Sequence, residues 1–199
     1  MTAVFLYFAV NYFIHAHTLG PDDTMRVVDP SEWTESDNRV SCVNVYVFDA
    51  QQELEECCSC PITPAGRLNF SLNKNLTQAP VTGGVLTTGT IKIVRTNLVD
   101  GITFTSGAAP APIAPICNPG RRGGLAVLGT VASDSLFAWI THDVNQFNSD
   151  QNAVEEAEFQ STREPGSDLT VLQDKCETTL NTGQAHGTGA CTCPAPVIP

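Results

Sequence analysis

The residues with the most distinctive chemistry in this chain are its cysteines. There are eight among 199 residues, an even number without the repeated spacing of a zinc finger. Such a set favours disulfide bonds formed in an oxidising compartment. We therefore expect the cysteines to provide a covalent framework rather than a reaction. The candidate disulfide residues are Cys42, Cys57, Cys58, Cys60, Cys117, Cys176, Cys191 and Cys193.

Two groups of cysteines are expected to pair with each other. Cys57 and Cys58 are neighbours that point to opposite sides of an extended backbone, so they need different partners. Cys191 and Cys193 point to the same side and are natural partners for the first group. We predict at least one bridge between residues 57–60 and the three C-terminal cysteines.

Two other chemistries are open to the same thiols. Zinc could be held in a tetrahedral site by Cys57, Cys60, Cys191 and Cys193, although only half of this set has the spacing of a zinc knuckle. The Cys57-x-x-Cys60 pair could be redox active, but such pairs begin a helix after a strand in a βαβ unit. The sequence does not indicate that unit here. We therefore predict no metal and no cofactor.

No catalytic set of residues can be placed in the sequence. The four histidines are scattered, and there is neither a Gly-x-Ser-x-Gly motif nor a Cys-x-x-Cys-His haem motif. The oxygen-rich segment 143–152 could bind calcium, but it lacks the glycine and terminal glutamate of an EF-hand. A polar loop is the simpler interpretation. We predict that the protein is not an enzyme.

The amino-acid composition limits the fold classes and the binding partners that are plausible for this chain. The net charge is −11 and the isoelectric point is near 4.6, which argues against binding to nucleic acid or to an anionic membrane surface. Charged residues make up only 16% of the chain, and glycine and proline are frequent, as in turn-rich all-β proteins. The length suits one domain.

The clearest strand pattern runs through residues 42–48. Three valines lie on one side of an extended chain, and a cysteine, a tyrosine and a phenylalanine lie on the other. Both faces therefore require cover, as in a central strand of a sandwich. The segment 51–56 that follows is polar and acidic. Further strands are predicted within residues 25–28, 67–73, 83–96 and 135–144.

One helix is predicted, at residues 167–181. Ser167 can cap its start, and an apolar stripe at helical spacing runs along it. We expect this helix to lie on the sandwich and to be held there by a disulfide. The stripe consists of Leu169, Leu172, Cys176 and Leu180.

The segment 2–14 is unusually apolar and holds five of the fourteen aromatic residues of the chain. It is too short to span a membrane, and no lysine or arginine precedes Arg26, so the basic start of a secretion signal is missing. Three interpretations are open: a first strand in its own sandwich, a strand donated to a neighbouring subunit, or a retained signal or anchor. Gly20 and Pro21 indicate a hinge in residues 18–23, which would allow donation.

A donated strand would bury its apolar side chains against the next subunit, because an open sheet edge invites pairing. The candidate subunit-interface residues are Val4, Phe5, Leu6, Tyr7, Phe8, Val10, Tyr12 and Phe13.

Four blocks of the sequence have a recognisable pattern. Residues 45–60 read V-Y-V-F-D-x-x-Q-E-L-x-x-C-C-S-C and residues 88–94 read T-x-x-I-K-I-V. Residues 169–176 and 187–193 read L-x-x-L-x-x-x-C and G-x-G-x-C-x-C. These blocks resemble a group of uncharacterised secreted bacterial proteins. The resemblance implies secretion and a disulfide-bonded β fold, and it implies no activity.

Together these patterns predict an all-β protein: a disulfide-stapled, antiparallel, Ig-like β-sandwich with one short C-terminal helix. Residues 1–18 would form an apolar strand and possible donor strand, and residues 19–199 one sandwich domain. We expect an extracellular or cell-surface structural subunit that forms a homopolymer, either a filament or a surface layer, without membrane insertion in the mature form.

The alternative is a monomeric cell-surface module that binds a glycan, a protein or calcium. Sequons at Asn69 and Asn75 would carry a glycan if the chain were secreted by a eukaryote.

Overall fold

The computed structural model describes residues 5–14, 16–17, 22–30, 41–97, 117, 136–143, 154–182 and 187–195. These residues form two antiparallel sheets and one α-helix, which confirms the predicted all-β sandwich. The helix α1 covers Gly166–Thr182, and Leu72–Leu76 forms a π-helical turn. The strands are β1 Phe5–Phe13, β2 Thr24–Val28, β3 Ser41–Asp49, β4 Leu54–Ile62, β5 Arg67–Ser71, β6 Gly89–Asn97, β7 Phe137–Asp143, β8 Val154–Glu158 and β9 Gln160–Pro165.

The first sheet has the strand order β4-β3-β6-β1-β9. β3 lies between β4 and β6, and every residue from its start to Phe48 is buried. Its three valines pack in the core between the sheets, while Tyr46 and Phe48 pack in a second cluster beneath α1. The predicted two-faced burial of this strand is therefore confirmed, because one face meets the second sheet and the other meets the helix.

The second sheet has the order β5-β2-β7-β8. β2 and β5 alternate between buried and partly exposed residues, as expected when only one face is covered. Met25, Leu68, Phe70 and Ile140 all point into the core from this sheet. β8 belongs to the second sheet and β9 to the first, so the chain crosses between the sheets at the buried residue Phe159.

The helix α1 packs on the outer face of the first sheet. Leu169, Leu172 and Cys176 are buried there, in one cluster with Phe8 and Tyr46. The predicted helix and its apolar stripe are confirmed, with one additional residue at each end. Among the described residues no helix combines the length and the apolarity that crossing a lipid bilayer requires.

All eight cysteines are bridged. Three bridges start from β4 and end in α1 or in the C-terminal segment, as predicted for the two groups of cysteines. Because these sulfurs are bonded to each other, they cannot ligate zinc as thiolates. The bridges are Cys42–Cys117, Cys57–Cys176, Cys58–Cys191 and Cys60–Cys193.

The C-terminal segment also pairs with β4 by hydrogen bonds. The Cys57 amide donates to the Gly189 carbonyl at 2.9 Å, and the Cys191 amide donates to the Cys57 carbonyl at 3.3 Å. The outer edge of β4 is therefore partly covered, which protects it from pairing with another chain.

Candidate functional site

The apolar N-terminal segment forms β1, and β1 lies between β6 and β9 in the sheet of its own chain. It makes six backbone pairs with each neighbour. Within a single chain both edges of β1 are thus satisfied, as the interpretation of a first strand in its own sandwich describes. We name the space between β6 and β9 that β1 fills the β1 slot.

The predicted interface residues differ in burial. Phe8 and Phe13 are completely buried and Val10 is half-buried, but Tyr12 is 55% exposed. Val4 lies outside the described residues. Backbone pairing with β9 places three further predicted residues in the sheet, Phe5, Leu6 and Tyr7.

The inner face of β1 is fitted closely to the slot. Phe13 pairs with Gly89 of β6 and lies in the core between the sheets. A Cβ atom on residue 89 would lie 2.8 Å from the Phe13 ring and 2.0 Å from the carbonyl oxygen of Phe48. Only glycine can therefore occupy this position, and the contact opposes any shift of β1 along β6.

Asn11 ties β1 to the crossing between β8 and β9. Its Nδ2 donates to the carbonyls of Ala157 at 3.1 Å and Glu158 at 3.3 Å, and its Oδ1 accepts from the Tyr12 amide at 2.8 Å. The side chain is 8% exposed, so a hydrocarbon in its place would leave two buried carbonyls without this donor. The sequence signalled this role only by a lone polar residue in an apolar strand.

The outer face of β1 is covered by an ion pair and by α1. Lys92 of β6 donates to both carboxylate oxygens of Glu164 of β9, at 3.2 and 3.4 Å. The Lys92 Nζ lies 5.8 Å from the centre of the Phe8 ring, close enough for a cation–π contact. The pair joins the two walls of the slot across β1, and Leu169 and Leu172 of α1 bury Phe8 beside it.

Tyr12 marks an open groove at the end of the β1 slot. Its ring stacks on the buried ring of His142, with 5.1 Å between centroids and 12° between planes. The groove has a volume of about 560 Å³. It is lined by Val10, Asn11, Tyr12, Thr90, Ala157, Glu158, Gln160 and Thr162.

Sequence patterning missed β4 because two of its residues are buried acids. Glu55 and Glu56 are 1% and 0% exposed. Glu55 accepts from the amide and the hydroxyl of Thr82, and Glu56 accepts from the Ala79 amide at 2.8 Å. Burial, reinforced by the neighbouring Glu55 charge and opposed by the Ala79 hydrogen bond, raises the pKa of Glu56 to about 8. At pH 7 this raised pKa favours the neutral acid in the folded protein.

Three acidic side chains lie close together at the β3–β4 turn. The side-chain oxygens of Asp49, Glu53 and Glu55 come within 4.8 Å of one another. Asp49 Oδ1, however, already accepts from the amides of Gln51 and Glu53, as a turn cap does. The calcium candidate predicted from sequence is a different segment: Asp143 ends β7, and residues 144–152 lie outside the described residues.

Comparison with protein-family models, with curated proteins and with solved structures finds no match for this chain. The resemblance to secreted bacterial proteins thus stays a prediction. What the fold and its four bridges define is a class: a disulfide-bonded all-β sandwich, a type of domain typical of oxidising compartments.

Proposed function

We propose that the protein is an extracellular structural subunit whose copies join by exchanging β1. One topological observation carries the proposal. A segment near the N-terminus occupies an inner position of the sheet, between strands that come from distant parts of the chain. If β1 leaves, both walls of the β1 slot lose their hydrogen-bonding partner, and the best replacement is the same strand from a second copy.

Exchange of β1 would cost no contacts. The pairs with β6 and β9, the Phe13–Gly89 contact and the Asn11 hydrogen bonds form identically within one copy or between two. The protein concentration and the length of the connection between β1 and β2 then decide whether the monomer or the exchanged form is more populated. That connection contains Gly20 and Pro21, the residues that predict a hinge. At high local concentration, successive exchanges would produce a homopolymer.

Deleting residues 1–17 is expected to expose the slot and to convert the protein into an acceptor of the missing strand. The truncated chain should bind a labelled peptide of residues 1–17 carrying a lysine tag for solubility. Fluorescence anisotropy would measure binding, and light scattering would measure mass. A peptide with Phe8→Ser and Phe13→Ser is the matched control, because it keeps the length and charge but loses both buried rings.

A folded truncated chain that does not bind the peptide, whether its disulfides are intact or partly reduced, would contradict strand exchange. A truncated chain that still polymerises would also contradict it. If the truncated chain does not fold, the full-length chain gives the answer. Copies with two different labels are mixed at high concentration under mildly reducing conditions and then reoxidised, and energy transfer between labels should accompany growth in mass. Electron microscopy of native material would then show whether the joined copies form filaments or layers.

The groove at Tyr12 favours a second candidate function, binding of a neutral glycan. Stacking on His142 holds the exposed Tyr12 ring in one orientation, so it offers a rigid apolar surface to a sugar ring. Two threonine hydroxyls, the Gln160 amide and the Glu158 carboxylate surround it and could bond sugar hydroxyls. The described residues that line the groove carry one carboxylate, that of Glu158, and no positive charge, which favours a neutral glycan over an anionic one.

Tyr12→Ala is expected to abolish glycan binding, because the stacking surface disappears while the fold loses only a half-exposed side chain. Glycan binding would be measured by titrating the protein with neutral mono- and disaccharides and following the NMR chemical shifts of the groove residues. Phe137→Ala is the control, since Phe137 is also exposed, at 46%, but lies on the second sheet. Equal loss in both variants, or no shifts in the unmodified protein, would rule out the groove as a glycan site.

A further inference from the structure

The helix α1 is placed to enclose β1. It follows β9 without a break, so one wall of the β1 slot continues directly into the helix that covers its outer face. Leu169 and Leu172 of this helix lie in the buried cluster that contains Phe8. We name β9 and α1 together the β9–α1 flap. β9 ends the strand order of the sheet, so the flap can swing outward without breaking any pairing except that with β1.

One disulfide joins the flap itself to the sheet, and two more join β4 to the segment that follows α1. Cys176 is the only cysteine of α1, and it is bonded to Cys57 of β4. β4 and β9 are at opposite ends of the strand order β4-β3-β6-β1-β9. The bond therefore ties the flap across the outer face of the whole sheet. With it in place β1 is enclosed by β6, by β9, by the second sheet and by α1.

We propose that the Cys57–Cys176 bond is the lock of the subunit joint: β1 exchanges while the bond is open and is retained once it forms. This inference rests on the proposed function, because the bond would regulate the same β1 slot. The closing step needs an external disulfide as oxidant. One cysteine thiolate attacks that disulfide, which forms a mixed disulfide and releases the first thiol of the oxidant. The other cysteine thiolate attacks the cysteine sulfur of the mixed disulfide, which forms Cys57–Cys176 and releases the second thiol, so that two electrons and two protons leave with the oxidant.

The other two bridges of β4 provide a matched contrast. Cys58–Cys191 and Cys60–Cys193 connect β4 with the C-terminal segment, and Cys58, Cys60 and Cys191 lie in the core between the sheets rather than beneath α1. The Cys60–Cys193 bridge closes a separation of 133 residues, close to the 119 of Cys57–Cys176. Cys58–Cys191 lies two residues from Cys60–Cys193 at both ends, so removing Cys60–Cys193 alone should destabilise the fold less than removing Cys57–Cys176.

The test compares Cys57→Ser/Cys176→Ser with Cys60→Ser/Cys193→Ser in the full chain. The probe is the labelled peptide of residues 1–17, and the measurement is its rate of entry as it displaces β1. We expect entry to accelerate at least about tenfold in the first variant and to stay within about twofold of the wild type in the second. Denaturation midpoints give the stability that each variant loses, and the entry rates are compared at urea concentrations that bring the two variants to equal stability.

Equal acceleration in both variants would overturn the lock, because general destabilisation would then explain it. No acceleration in either variant would also overturn it. If a serine variant does not fold, limited reduction of the wild-type chain replaces it: peptide entry should follow alkylation of Cys176 and not alkylation of Cys193. Failure of the proposed function gives a different result. In that case the chain lacking residues 1–17 would not bind the peptide, whether its disulfides are intact or removed.

Discussion

Reduction of all four disulfides is expected to abolish the cooperative unfolding transition at room temperature. The bridges span separations of 75 to 133 residues. A single bridge across such a loop is worth about 4 to 5 kcal/mol in the chain-entropy model. The loops overlap, so the four values do not add fully. Their combined contribution nevertheless matches the roughly 5 to 15 kcal/mol that stabilises a typical domain.

Near-ultraviolet circular dichroism during a urea titration, with and without a phosphine reductant, would measure this effect. The control is alkylation without reductant, which should modify no cysteine because all eight are bonded. A fully reduced and alkylated protein that still unfolds in one sharp transition would show that the two cores suffice without the bridges.

The second large effect concerns Glu56 and pH. Burial raises the pKa of Glu56 to about 8, from an ordinary value of 4.5. Between these two values the folded state keeps a proton that the unfolded state releases. The contribution of Glu56 to stability is therefore complete below pH 4.5 and is lost as the pH rises to 8. The loss amounts to at most about 1.4 kcal/mol per pH unit, or several kcal/mol across the window.

Glu56→Gln is expected to remove this dependence, because the neutral amide resembles the protonated acid and its oxygen can still accept from Ala79. The free energy of unfolding of the variant should exceed that of the wild type increasingly from pH 5 to pH 8. Urea denaturation at three pH values would measure the difference. Glu155→Gln on β8 is the control, since Glu155 is exposed. A difference that does not change with pH would mean that Glu56 is ionised in the fold.

Glu56 also links the core to the C-terminal segment. The Glu56 carboxyl group accepts a hydrogen bond from the Ala79 amide, and the Ala79 carbonyl accepts one from the Gly189 amide at 2.8 Å. Gly189 in turn accepts from the Cys57 amide. Ionisation of Glu56 would strengthen the hydrogen bond that it accepts from the Ala79 amide, but it would also place a buried charge beside Glu55 on the strand that carries three of the four bridges.

Local pattern in the sequence was sufficient for several parts of this protein. The alternation in β3 predicted burial on both faces, and the stripe from Leu169 to Cys176 predicted α1, because period-two and helical spacing are properties of the chain itself. The opposite directions of Cys57 and Cys58 predicted different bridge partners for the same reason. These predictions needed no knowledge of neighbouring strands.

The tertiary structure alone decided which groups meet. An apolar pattern showed that β1 must be buried, but its place between β6 and β9 depends on strands far along the chain. Tyr12 matches Phe8 in type yet is exposed, because α1 does not reach it. β4 escaped prediction because Glu55 and Glu56 find their hydrogen-bond donors in the loop at residues 79–82. Partners of this kind are brought together by folding, and no spacing within a segment encodes them.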